Sequence, residues 1–145
     1  MRAHFFLLIT AGLALGADKP SDDQVKAEWA KLNGTWQLVS AENDGKKAPE
    51  DFVKKVRVVI KDGKHTVYIG DDAVVKEIPF AIDPAKKPKR ATDTLPDGKQ
   101  IHSIYELDGD TLKSCVAPPG KDHPKEFSGA AGTGNTLRVF KRVKE

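Results

Sequence analysis

Leu32-Asn33-Gly34-Thr35-Trp36-Gln37-Leu38-Val39-Ser40 decides how the rest of the chain is read. Gly34 has no Cβ, so a ring or another piece of backbone can come close beside it. Trp36 is the largest apolar side chain of the stretch, and a Trp near the start of a strand closes the end of a core. Side chains alternate along a strand, which predicts Trp36, Leu38 and Ser40 on one face and Gln37, Val39 and Ala41 on the other.

Working outward, short strands are predicted over residues 56–61, 64–69, 73–82, 91–95, 100–107, 111–117 and 136–143. Asp62-Gly63 and Asp108-Gly109-Asp110 are tight hairpin signals, and Asn43-Asp44-Gly45-Lys46, Gly70-Asp71-Asp72 and Pro96-Asp97-Gly98 are further turns. Pro79 demotes the second half of its strand to an edge or a bulge. Residues 48–53 read as a helical turn or two, with Pro49 near its start and acids in the first turn. Before the first strand, Ser21-Asp22-Asp23-Gln24 has the form of a helix capping box. Val25, Trp29 and Leu32 follow at helical spacing, predicting a short helix over residues 21–31 that lays Trp29 on one end of the β-structure. A partner-binding helix is the alternative, disfavoured because the helix runs straight into the first strand. Residues 118–134 form a long Pro- and Gly-rich loop of the kind that is often functional or mobile.

The first 17 residues read differently. A basic start at Arg2, an apolar run from Phe5 to Leu15 and small residues at Ala14, Gly16 and Ala17 make the pattern of a secretory signal peptide. The run is short for a membrane span, and no later stretch approaches that length. Export to the periplasm or beyond is therefore expected, with residues 18–145 as one domain and the barrel over 32–143. Cleavage removes Arg2 from the 24 basic residues and none of the 21 acidic ones, lowering the formal charge from +3 to +2. That is too little to imply a polyanionic partner, and no nucleic acid is expected. Cys115 is the only cysteine, so an exported chain has no internal disulfide and depends on its core.

Chemistry-bearing residues are sparse. His65, His102 and His123 show no metal-ligand spacing and read as structural or solvated. Cys115 reads as a small buried apolar residue; as a nucleophile it would need a base, and His102 on a neighbouring strand is the convenient one. Lys86, Lys87, Lys89 and Arg90 form a basic cluster without aromatic neighbours, read as a solvated loop. Asp108-Gly109-Asp110 lacks the spaced ligands of a calcium loop. No phosphate loop or nucleophile elbow is present. No catalytic residue, metal or cofactor is predicted, and the chain is not read as an enzyme.

Several stretches together resemble a lipocalin-like domain abundant in planctomycete bacteria. They are Leu32 to Ala41 with Asp44-Gly45, Ala81-Ile82-Asp83-Pro84 with Lys87-Pro88-Lys89, and Ile104 to Leu112 with Cys115. Pro124, Phe127, Gly132, Leu137 and Lys141-Arg142 extend the resemblance across residues 32–142. His123 stands where the family often has Arg, and Ser103 where it often has Gly. The resemblance implies a small exported domain without assigned catalytic residues. Its wider likeness to lipocalins implies a barrel that can hold a small apolar ligand, with a late Arg lying across the first-strand Trp. Arg142 is the candidate and Arg138 the runner-up; together with Gly34 and Trp36 it forms the expected closure.

The fold expected is all-β: an up-and-down antiparallel barrel of about eight strands, lipocalin-like, with a short N-terminal helix. Leu38, Val58, Val67, Ile69, Phe80 and Tyr105 are the candidate ligand-pocket residues, Tyr105 also to orient the ligand. The functional expectation is a monomeric exported module binding a small apolar or amphipathic ligand. The alternative is a filled barrel that serves as a structural or protein-interaction domain of the cell envelope, meeting an envelope protein partner with no small ligand.

Overall fold

The computed structural model describes residues 19–144, so the predicted signal peptide at 1–17 lies outside the described residues. A helix α1 (Asp22–Leu32) leads into β1 (Gly34–Asn43), a two-residue β2 (Lys46–Lys47) and a single turn α2 (Glu50–Val53). Then follow β3 (Val56–Lys61), β4 (Lys64–Ile69), β5 (Asp72–Asp83), β6 (Lys89–Thr94), β7 (Gln100–Asp108), β8 (Thr111–Val116) and β9 (Thr136–Arg142). All pairings are antiparallel in the order β1-β3-β4-β5-β6-β7-β8-β9, and β9 returns to β1. Eight strands thus close an up-and-down barrel, and β2 is a short flap paired to the end of β1. Closure gives each of the eight main strands a partner on both sides, although β5 pairs with β6 only from Phe80 to Asp83.

Local chemistry explains the elements. The Ser21 hydroxyl accepts from the Gln24 N–H while the Gln24 side chain accepts from the Ser21 N–H, so the capping box forms at the start of α1. The turns at Asp44-Gly45 and Asp62-Gly63 adopt positive φ at both residues, the geometry a two-residue hairpin needs. α2 is held by Gln37, whose Nε2 donates to the carbonyls of Val53, Lys54 and Val56.

The two ends differ. At one, α1 covers the barrel: Leu32 is buried and Trp29 meets Phe80 edge-on at 4.8 Å between ring centres. Trp36 is fully enclosed, and its Nε1–H donates to the Leu32 carbonyl at 2.9 Å. The Arg142 guanidinium lies 4.3 Å from the Trp36 ring centre and donates to the carbonyls of Asn33 and Lys31. These are the free carbonyls at the end of α1, where a cation is favoured. Gly34 has φ 136, and a Cβ there would stand 2.9 Å from Arg142 Nη1. The opposite end, ringed by β2, α2 and the β4–β5 and β6–β7 turns, has no such cover.

Two features depart from the expected pattern. A bulge at Val39 shifts the β1–β9 register between Leu38 and Ser40. Beyond it the alternation reverses, so Ala41, not Ser40, joins the core side. Pro79 does not end β5 as an edge: Lys64 still pairs with it, and the irregularity falls earlier, where Glu77 has φ 46. A third difference concerns the basic cluster. Lys89 is not in a solvated loop but at the start of β6, 2.8 Å from the buried Glu28 carboxylate. Tyr105 also donates to that carboxylate, at 3.2 Å.

Arg142→Lys keeps the charge but loses the planar fork that bonds two carbonyls while covering Trp36. It is expected to cost about 1–3 kcal/mol, read as a lower urea midpoint at unchanged slope.

Candidate functional site

The interior is not filled. A cavity of about 580 Å³ opens at the end away from α1. Its walls are apolar residues from the inward positions of the strands, among them Leu38, Val58, Val67, Ile69, Ile78 and Phe140. At its mouth stand Lys46, Lys47 and Phe52, the last 45 % exposed. Below it a smaller chamber of about 110 Å³ runs toward α1, lined by Leu32, Ile60, Phe80, Ile82 and Tyr105.

The expected pocket residues distribute over these two spaces. Leu38 and Ile69 line the outer cavity, Val58 and Val67 line both, and Phe80 and Tyr105 line the inner chamber alone. Tyr105 does not present its hydroxyl to the outer cavity, because that hydroxyl donates to Glu28. Burial, then the Glu28 charge, pushes the phenol far above its ordinary range, so it stays protonated.

Between the two spaces lies a belt of polar side chains shared by both linings: His65 from β4, Asp93 from β6, Ser103 from β7 and Arg138 from β9. Ser114 of β8 faces the inner chamber directly across from Arg138. His65 Nε2 lies 2.9 Å from Asp93 Oδ2. Burial pushes the Arg138 guanidinium below its ordinary range, opposed by the nearby Asp93 charge. A guanidinium stays protonated through such a shift. Among the described residues no hydrogen bond or salt bridge ends on the Arg138 guanidinium, nor does any hydrogen bond end on the Ser103 or Ser114 side chain. Each keeps contact with open space rather than lying sealed and unpaired. Arg138 therefore does not share the work of Arg142. It points its charge into the cavity.

Nothing in the sequence groups these four: His65 reads as structural or solvated, Arg138 as the second choice for the Trp36 contact, and Ser103 as a departure from the resembled family. Strand phase is the one signal for single members: Arg138 alternates in phase with Phe140, and His65 with Val67 and Ile69, so charged or polar side chains occupy inward positions. Ser103, one of the departures from the resembled family, is part of the same belt.

The outer face carries the remaining candidates. Cys115 is fully enclosed beneath the loop 118–134 and its thiol donates to the Ser128 carbonyl at 3.4 Å. Burial pushes that thiol up, the opposite of what a nucleophile needs. His102 Nδ1 instead meets the Thr92 hydroxyl at 3.0 Å, and no hydrogen bond among the described residues joins it to Cys115. The His102 and His123 rings lie with centres 4.3 Å apart, tilted by 38° to each other. No group of three or more metal-ligating side chains is gathered among the described residues. Nor does any described helix have the length and apolarity to cross a membrane.

No family model, curated protein or solved structure matches the chain.

Burial, then the His102 ring, holds His123 below the ordinary histidine range, with Asp122 opposing. The unfolded chain therefore takes up a proton first, and stability is lost as pH falls below about 6.5 toward the folded value. His123→Gln is expected to flatten that part of the curve of unfolding free energy against pH, measured by urea denaturation between neutrality and the carboxylate range.

Proposed function

We propose that this protein is an exported, lipocalin-like binding module that takes a small apolar or amphipathic molecule through the open end of its barrel, without catalysing a reaction. The observation that carries this reading is the open cavity of about 580 Å³ with mostly apolar walls. Small-molecule pockets span roughly 300–1,000 Å³ and combine apolar walls with a few placed polar groups. The polar belt at the cavity floor supplies such groups. A filled structural barrel would close this space with larger side chains, as the α1 end does with Trp36, Leu32 and Phe80. The resemblance to planctomycete lipocalin-like domains supports the same reading, and so does a late Arg lying across the first-strand Trp. Export rests on the signal-peptide pattern of residues 1–17.

Titration with Nile red, a neutral apolar dye, is expected to give saturable enhancement of its fluorescence at one site per chain. Val67→Trp puts a large ring into the cavity and is expected to abolish that signal; Val75→Phe, nearer the mouth, is expected to weaken it. Equal dye binding by both folded variants, or none by the unaltered protein, overturns the reading. In the producing cell the exported protein is expected to begin at Asp18, read by mass spectrometry of its first peptide; retention of residues 1–17 would overturn the export assignment.

A further inference from the structure

The geometry points to an amphipathic monocarboxylate as the ligand, its carboxylate seated on Arg138 and its apolar tail lying up the cavity toward the mouth. This rests on the binding reading above and adds the chemical class of the ligand. Three observations carry it. The Arg138 side chain lies within the barrel, yet no hydrogen bond or salt bridge among the described residues ends on its guanidinium. A guanidinium presents five N–H donors in a plane, matched in shape by the two oxygens of a carboxylate. Its donors face the open cavity rather than a partner in the chain, so they are free to meet an acceptor that a ligand carries in.

Second, the side chains of Ser103 and Ser114 line the inner chamber together with Arg138, and their hydroxyls are likewise without a hydrogen bond among the described residues. Ser114 is its direct cross-strand neighbour. Each can donate to a ligand oxygen. Third, the polar groups sit at the floor of the outer cavity, while the wall above them is mostly apolar, with Asn43 and Thr136 hydrogen-bonded to each other. A molecule with one charged end and one apolar end matches that order, with the head inward and the tail outward.

The other charged groups narrow the class. Asp93 belongs to the same belt, and His65 already holds one of its oxygens at 2.9 Å. Its negative charge offsets part of the Arg138 field and disfavours a doubly charged head such as a phosphate monoester. Asp93 is not within salt-bridge distance of Arg138, so it does not satisfy the fork itself. Lys46 and Lys47 stand at the mouth, where they attract an anion on approach but are open to solvent screening.

The test is calorimetric titration of the purified protein with three amphiphiles of one chain length: laurate, dodecanol and dodecyltrimethylammonium. Laurate is expected to bind about 10- to 100-fold more tightly than dodecanol, and the cationic amphiphile most weakly. Arg138→Gln is expected to remove most of the laurate preference while leaving dodecanol within about threefold. The same substitution removes an unpaired enclosed charge, so the ligand-free variant is expected to melt at the same temperature or higher. A purely structural arginine would instead lower it. Ser103→Ala, a smaller change at the same belt, is expected to weaken laurate selectively and serves if Arg138→Gln does not fold. Equal affinity of the unaltered protein for laurate and dodecanol overturns the inference and needs no variant. Nile red binding without such preference leaves the binding reading standing and removes the carboxylate; no binding of dye or amphiphile removes both.

Discussion

The guanidinium of Arg142 ties together elements from both ends of the chain. It covers Trp36, donates to the carbonyls of Lys31 and Asn33 at the end of α1, and lies beside Asp110 in the β7–β8 turn. Its own backbone N–H donates to the Asp110 carbonyl. A single cation therefore joins the end of α1 to the closing pair of the barrel. Gly34 makes this approach feasible, because its backbone conformation and missing side chain leave room for the guanidinium. Without the contact, the terminal carbonyls of α1 would need water at an otherwise closed end, and Trp36 would lose its cover.

Because one end is closed so completely, the barrel's asymmetry follows. Trp36, Leu32, Trp29 and Phe80 spend the largest apolar side chains on the α1 end. Toward the mouth the inward positions are mostly Val, Ile, Leu and Ala, which leave space unfilled. An eight-stranded barrel is at the size where the choice of side chains decides between a filled core and a ligand space. The belt of His65, Asp93, Ser103 and Arg138 marks the boundary between the two regimes. Glu28 offers an instructive contrast. It is also a buried charge, yet Lys89 and Tyr105 both donate to it, so its pairing is internal. Arg138 lacks that internal pairing, which sets it apart from a structural ion pair.

The long loop 118–134 is not loose. Asp44, in the β1–β2 turn, accepts through its carboxylate from the N–H groups of Gly132 and Gly134. The Gly45 N–H donates to the Gly129 carbonyl, and Gly129 lies so close to the Glu42 carbonyl that a Cβ would stand 2.3 Å from it. The loop thereby seals a second small apolar patch on the outer face, where Ile104 and Cys115 are fully enclosed. Its role is to cover the outside of β7, β8 and β9, leaving the mouth open on the barrel's own terms.

Much of this was legible in the residues because it depends on local chemistry. The capping box at Ser21, the Asp-Gly turns, the strand succession and the Gly34-x-Trp36 opening each act through neighbours a few positions away, and all took the expected form. Arg142 was the expected partner of Trp36, on the strength of a family likeness rather than of spacing. Other features require the ring to be closed before they exist. The bulge at Val39 reverses the inward phase of β1, and no local residue pattern announces it. Whether the interior is filled depends on side chains from eight strands summed around one axis, not on any stretch of chain. The meeting of His65, Asp93, Ser103 and Arg138 brings together residues up to 73 positions apart, and only the closed ring of antiparallel strands places them around one space. By itself the sequence determined a succession of antiparallel strands led by a capped helix, because hairpins and caps are short-range, while closure joins β1 to β9 across the whole chain. The tertiary structure alone decided that the barrel is hollow and that Arg138 faces the hollow unpaired, because volume and charge pairing are properties of the whole closed ring.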